Sequence, residues 1–173
     1  MSTSEVVEPL RFNPTESVQP VQSTPTLYSE DIQVGDSWTT EPRQITSEDV
    51  SEFASLTGDH TPLHGQDGAA SPYGKPIAHG LLGLSILAGL GTNHPKASTL
   101  AFVAIEEWQF LAPVFFGDTV QARNEIIKID PHGRRAVKVR WLRQLINEEG
   151  RVVQQGHFIT LVGSKSRMTA KPR

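Results

Sequence analysis

Gly58-Asp59-His60-Thr61-Pro62-Leu63-His64 and Pro72-Tyr73-Gly74-Lys75-Pro76-Ile77-Ala78-His79-Gly80 lead into Leu81-Leu82-Gly83-Leu84-Ser85-Ile86-Leu87-Ala88-Gly89-Leu90-Gly91. The contrast between these pieces decides the fold. In the first two, Gly, Pro and Asp forbid a regular helix, so they read as a stiff loop dense in polar groups. The third is apolar on every side except Ser85, which predicts a helix buried all round. The loop therefore delivers an acid and imidazoles to the start of a buried helix.

On the N-terminal side, Thr46-Ser47-Glu48-Asp49 reads as a capping-box helix start. Val50, Phe53, Ala54 and Thr57 follow at helical spacing, and Gly58 fits a left-handed C-cap. Asp59 would thus leave this helix at a defined angle. Residues 36–45 read as a first strand. On the C-terminal side, residues 99–113, 119–130, 135–147 and 151–162 are long segments rich in Val, Ile, Phe, Trp and Leu. Turn chemistry separates them at Gly117-Asp118, at Asp130-Pro131-His132-Gly133 and at Asn147-Glu148-Glu149-Gly150. Val137, Val139 and Trp141 alternate with Lys138 and Arg140 as in a half-buried strand. One strand, a helix, a loop, a buried helix and four strands imply an α+β fold in which an antiparallel sheet wraps a central helix.

Composition narrows the function. The 173 residues make one domain with tails, and a net charge of −3 without a basic stripe argues against nucleic acid as a partner. Absence of cysteine excludes a disulfide framework, thiolate catalysis and Cys-based zinc sites, and fits a reducing, cytoplasmic setting. No apolar run reaches the roughly 20 residues needed to span a bilayer, so no membrane partner is expected. Residues 1–26, with scattered prolines among Ser, Thr, Glu and Gln, read as a flexible tail without signal- or transit-peptide character. Residues 27–163 read as the folded domain and 164–173 as a solvated basic tail.

The chemistry-bearing residues lie in the loop. Asp59 and His64 are five positions apart with Pro62 fixing the backbone between them, so an acid and an imidazole can share one water molecule. Gly80 opens the buried helix, and its N–H sits at the positive end of the dipole with no side chain in the way, where an oxyanion would be stabilised. Each residue taken singly has a plainer reading: Asp59 as a turn residue, His64 as a structural histidine, His79 as a helix cap. His60 and His64 have the i, i+4 spacing of a metal pair. Pro62 argues against a helix there and no further ligand cluster appears, so no metal is expected.

Read jointly, Gly58-Asp59-x-x-Pro62-Leu63-His64 with Pro72-x-Gly74-x-Pro76-Ile77-x-His79-Gly80 resembles the hydratase motif of the MaoC-like dehydratases, the (R)-specific enoyl-CoA hydratases of the hot-dog fold. Phe110-x-x-Pro113-Val114-x-x-Gly117-Asp118 is similar to a later strand-and-turn signature of that family. The resemblance implies a hot-dog fold and an Asp59–His64 dyad that activates water for syn addition to a trans-2-enoyl thioester. It further implies that the Gly80 N–H binds the thioester oxygen, with Thr61, His79 and Ser85 as further substrate-side residues, although Ala88 is an equal candidate for the Ser85 role. It implies an acyl-CoA substrate, no cofactor and a homodimer. The chain departs from the family pattern at Thr61, where Asn is usual, and at Gly65-Gln66-Asp67. A hot-dog thioesterase, a non-catalytic acyl-CoA-binding subunit and a plain interaction domain are the alternatives. Lys75, Arg123, Arg134, Arg135 and Lys138 are all candidates for the CoA phosphates.

Overall fold

The computed structural model describes residues 25–65 and 71–168. Most of the expected N-terminal tail, the Gln66-Asp67 departure and residues 169–173 lie outside the described residues. The elements in chain order are β1 (Ser37–Thr39), β2 (Arg43–Gln44), α1 (Ser47–Thr57), α2 (Gly80–Leu90), β3 (Thr99–Phe110), β4 (Thr119–His132), β5 (Ala136–Asn147), β6 (Val152–Gly163) and α3 (Lys165–Met168). The strands form one antiparallel sheet in the order β1-β4-β5-β6-β3, with β2 also pairing β4. The chain between β3 and β4 therefore crosses from one edge of the sheet to its far side.

This is the hot-dog arrangement, with α2 lying against the sheet. Alternation on β4 and β5 turns Val120, Ala122 and Ile126 and Val139, Trp141 and Leu145 inward, all of them buried. From α2, Leu82, Ile86 and Leu87 pack on them to close the core. Trp141 satisfies its indole N–H on the Thr160 hydroxyl (2.9 Å), so the largest core side chain leaves no polar atom stranded.

Two expectations need correction. The strand expected over residues 36–45 is two short strands, because Pro42 lacks the N–H a continuous ladder requires. The central helix is not buried all round. Leu81 is 59% exposed, and Ser85 and Gly89 are exposed with it, forming an i, i+4, i+8 stripe that faces away from the sheet. A segment so uniformly apolar cannot announce which side the sheet covers.

At the start of the basic C-terminal segment, Glu30 accepts hydrogen bonds from Ser164, Lys165 and Ser166 at the exposed surface. No helix among the described residues is long and apolar enough to cross a membrane.

Candidate active site

The loop after α1 is built by local hydrogen bonds. Thr46 caps α1: its hydroxyl accepts from the Asp49 N–H (3.1 Å), while the Asp49 carboxylate accepts from the Thr46 N–H (2.9 Å). At the other end Gly58 is left-handed (φ 77°), a conformation that penalises a Cβ, and its N–H returns to the Ala54 carbonyl. Asp59 then folds back on the loop. One carboxylate oxygen accepts the Thr61 hydroxyl at 2.6 Å and the Thr61 N–H at 3.2 Å. These bonds, the hydroxyl first, hold the Asp59 carboxyl below its ordinary range, and His79 and His64 add to the effect. Thr61, the departure from the family pattern, is thus the residue that orients the acid.

His64 ends a 3-10 turn over Pro62–His64, and its Nδ1 lies 2.8 Å from the Ile77 carbonyl. A carbonyl only accepts, so Nδ1 carries the proton in the neutral ring and Nε2 keeps its lone pair. The same reasoning fixes His79: Nε2 lies 2.9 Å from the Asp59 carbonyl and must donate to it. His79 is 3% exposed, its other nitrogen has no partner among the described residues, and its ring stacks on His64 with centroids 3.8 Å apart. Phe53 of α1 also packs against it, with ring centroids 5.2 Å apart. His79 therefore pins the backbone of Asp59 and braces the ring of His64.

Gly80 is the first residue of α2, where an N–H has no partner within the helix, and it gives that N–H to no other acceptor among the described residues. A Cβ on Gly80 would meet the Phe110 ring at 2.9 Å, so this backbone lies close beneath an aromatic lid. The Gly80 carbonyl is held from the other side by the Gln154 amide at 3.1 Å.

The expected residues therefore converge in part. One ring nitrogen each of His64 and His79 and a carboxylate oxygen of Asp59 lie within 4.8 Å of one another. Asp59 and Thr61 line a small cavity of about 180 Å³ beside α1. Gly80 lines another of about 410 Å³ with Tyr73, Phe110, Leu111 and Gln154. His64 is a wall of both cavities. Ser85 stays apart: its hydroxyl donates to the Leu81 carbonyl (2.9 Å), and it lines a groove with Arg43, Ile86 and Gly89. His60 lines the Asp59 cavity but is not in the converging set, so the i, i+4 histidine pair does not form; a metal would find Asp59, His64 and His79 instead. Of the five candidate cations for CoA, Arg123 is engaged by Glu125 (3.3 Å) and Lys75 sits 3.7 Å over the Phe115 ring.

Sequence reasoning missed Gln154. It is 2% exposed, and a methyl group on Gly83 would overlap its amide, so Gly83 is small to let Gln154 reach the helix. The available signal was a glutamine in the same alternating phase as Phe158 and Val162.

The family profile described as "MaoC like domain" matches residues 31–147. The 3-hydroxybutyryl-CoA dehydratase of Methylorubrum extorquens is 38% identical over 115 residues, covering 64% of this chain and 70% of that protein. The (R)-specific enoyl-CoA hydratase of Aeromonas caviae is 32% identical over 87 residues, covering 49% of this chain; the chain spans 63% of that relative's length. Among solved structures, the monoamine oxidase regulatory protein of Archaeoglobus fulgidus superposes with a TM-score of 0.75 at 32% identity, covering 81% of this chain and 96% of that one.

Proposed function

Because the chain belongs to the MaoC-like domain family, we propose that it is a hydro-lyase that reversibly hydrates a trans-2-enoyl-CoA to an (R)-3-hydroxyacyl-CoA. The observation that carries this reading is the convergence of the Asp59 carboxylate with a nitrogen of His64, whose ring also walls the cavity lined by Gly80, an N–H without a partner among the described residues. The relatives named as a 3-hydroxybutyryl-CoA dehydratase and an (R)-specific enoyl-CoA hydratase support the reaction class.

The spacing suits one water. A carboxylate oxygen of Asp59 and a ring nitrogen of His64 lie within 4.8 Å of each other, a span that one water molecule about 2.8 Å from each bridges. Asp59, kept ionised by Thr61, orients that water, and His64 Nε2 takes its proton as the oxygen bonds to C3. The electron pair of the double bond moves toward the thioester, whose oxygen becomes enolate-like and is held by the Gly80 N–H at the positive end of α2. The proton on His64 then passes to C2, so one water is consumed and both residues return to their starting state. Oxidation level is unchanged, and we assign no redox cofactor and no metal. His79 acts as a positioning residue, through Asp59 and His64. Thr61 serves in place of the family asparagine, and Ser85 is left without a role in the step.

We assign a homodimer as the working unit. Edge strand β3 exposes Phe102 (55%), Val103 (53%) and Ile105 (40%), an unpaired apolar edge of the kind that proteins normally cover. A CoA-thioester substrate and a cysteine-free chain go with the cytoplasm.

The test is hydration of crotonyl-CoA by the full chain, followed by loss of enoyl absorbance, chiral analysis of the product and a free-thiol assay. Loss of conjugation with the (R)-product and no thiol is the expected result. Thiol release at intact conjugation would make the protein a thioesterase and overturn the proposal.

A further inference from the structure

At the opposite end of α2 from Gly80 lies a cavity of about 430 Å³ that the reaction above does not use. Its walls are mostly apolar and aromatic, with Ala88, Phe102, Trp141 and Phe158 among them, and its only charged lining residues are Lys96 and Arg143. Arg143 is 8% exposed. Its guanidinium lies 5.0 Å from the Phe158 ring and 5.4 Å from the Trp141 ring. It forms no ion pair and no side-chain hydrogen bond among the described residues, and its Nε is buried without a partner. Asn124, opposite Arg143 in the β4–β5 register, gives its amide to the His94 carbonyl, and its own oxygen has no partner among the described residues.

A buried guanidinium is costly. Removing it from water carries a large penalty, of which stacking near aromatic faces returns only part. Burial pushes the Arg143 pKa down to about 10, which still leaves it charged at neutral pH. The backbone accommodates the group deliberately, since a methyl on Gly91 would overlap the guanidinium. A fixed, planar, desolvated cation with open donors is the arrangement that carboxylates satisfy best.

We infer that the C-terminal end of α2 holds a second binding site, for a carboxylate carried on an apolar chain, anchored by Arg143 with Lys96 at its rim. The chemistry fits either the far end of a long dicarboxylic acyl group bound at Gly80 or a separate aliphatic carboxylate. Gly80 and Gly91 are eleven residues apart, which along a helix is about 16 Å, so only a long acyl group reaches both ends. The existence of the site does not depend on the hydratase reading; the first source does.

Calorimetric titration of the full chain with octanoate and with octanamide tests it without requiring turnover. The wild type is expected to bind octanoate roughly tenfold or more tightly than octanamide. Arg143→Met should erase that preference, and Arg143→Lys should keep part of it because the charge remains but the fork is lost. Equal binding of the two probes by the wild type, or binding of neither, overturns the proposal whether or not the variants fold; Arg143 would then be only a counter-charge for the helix end. Given binding, kinetics separate the two sources. A lower KM for dodec-2-enedioyl-CoA than for dodec-2-enoyl-CoA, raised by octanoate and lost in Arg143→Met, supports the acyl terminus. Octanoate binding that leaves both KM values unchanged supports a separate carboxylate. Absence of any turnover alongside octanoate binding would sink the hydratase reading and leave this site standing.

Discussion

The two ends of α2 hold their charged groups, Asp59 and Arg143, in opposite ways. At the N-terminal end, Asp59 is about half-exposed, and its carboxylate, the rings of His64 and His79 and the loop backbone are tied together by short side-chain and main-chain bonds. At the C-terminal end, Arg143 and Asn124 are buried, each with a polar atom that has no partner among the described residues. The helix dipole agrees with both, favouring negative charge where the proposed enolate forms and positive charge where Arg143 sits. A reacting group needs orientation with access to water, whereas an anchoring group gains strength from being kept dry.

The largest effect that would sharpen this comparison is at the N-terminal end. Asp59→Asn and His64→Gln are each expected to lower kcat for crotonyl-CoA hydration by roughly 100- to 10,000-fold. Because Asp59 is exposed, its variant should unfold at the wild-type midpoint and leave octanoate binding at the far end unchanged. A wild-type rate in either variant would break the contrast. Next comes Gly80→Pro, which removes one N–H at a position where proline suits a helix start. His79 already has the extended ψ of 135° that a following proline requires. A loss in kcat of about 100- to 1,000-fold is expected, measured in a Phe110→Ala background so that the ring does not interfere.

A smaller effect is expected from Thr61→Val. The Thr61 hydroxyl is the largest cause of the depressed Asp59 pKa, so its removal raises that pKa toward the ordinary value. The acid limb of the kcat/KM profile depends on ionised Asp59, so it should move to higher pH, with little change on the alkaline side. A profile that does not move would show that Asp59 is not the group titrating there. The smallest effect is Gly58→Ala. No atom lies within 4 Å of the added Cβ, so the cost is conformational alone, about 1–2 kcal/mol of stability by thermal or denaturant unfolding.

The same comparison explains what could be read from the sequence. Local signals were sufficient at the N-terminal end: the Thr46–Asp49 capping box, the left-handed Gly58 and the Pro62-stiffened loop all act over a few residues. The four long strands were equally legible, because turn glycines and period-two alternation are local too. Arg143 was within reach, since the alternation of Val137, Val139 and Trp141 continues inward to it and to Leu145. What no local pattern revealed was that β4 and β5 set Asn124 opposite Arg143, or that Gln154 grips the Gly80 carbonyl, pairings that depend on the sheet register. The exposed stripe Leu81-Ser85-Gly89 was hidden for the opposite reason: a helix apolar on nearly every side gives no phase to read.

The shared-water mechanism requires that Asp59 and His64 act on the same molecule. Crotonyl-CoA hydration by Asp59→Asn, His64→Gln and the double variant measures this as a cycle. Residues working as a unit predict a double variant about as slow as the slower single one. Losses that multiply, with the double variant slowed by the product of the two single effects, would mean two independent groups and would contradict the shared-water mechanism.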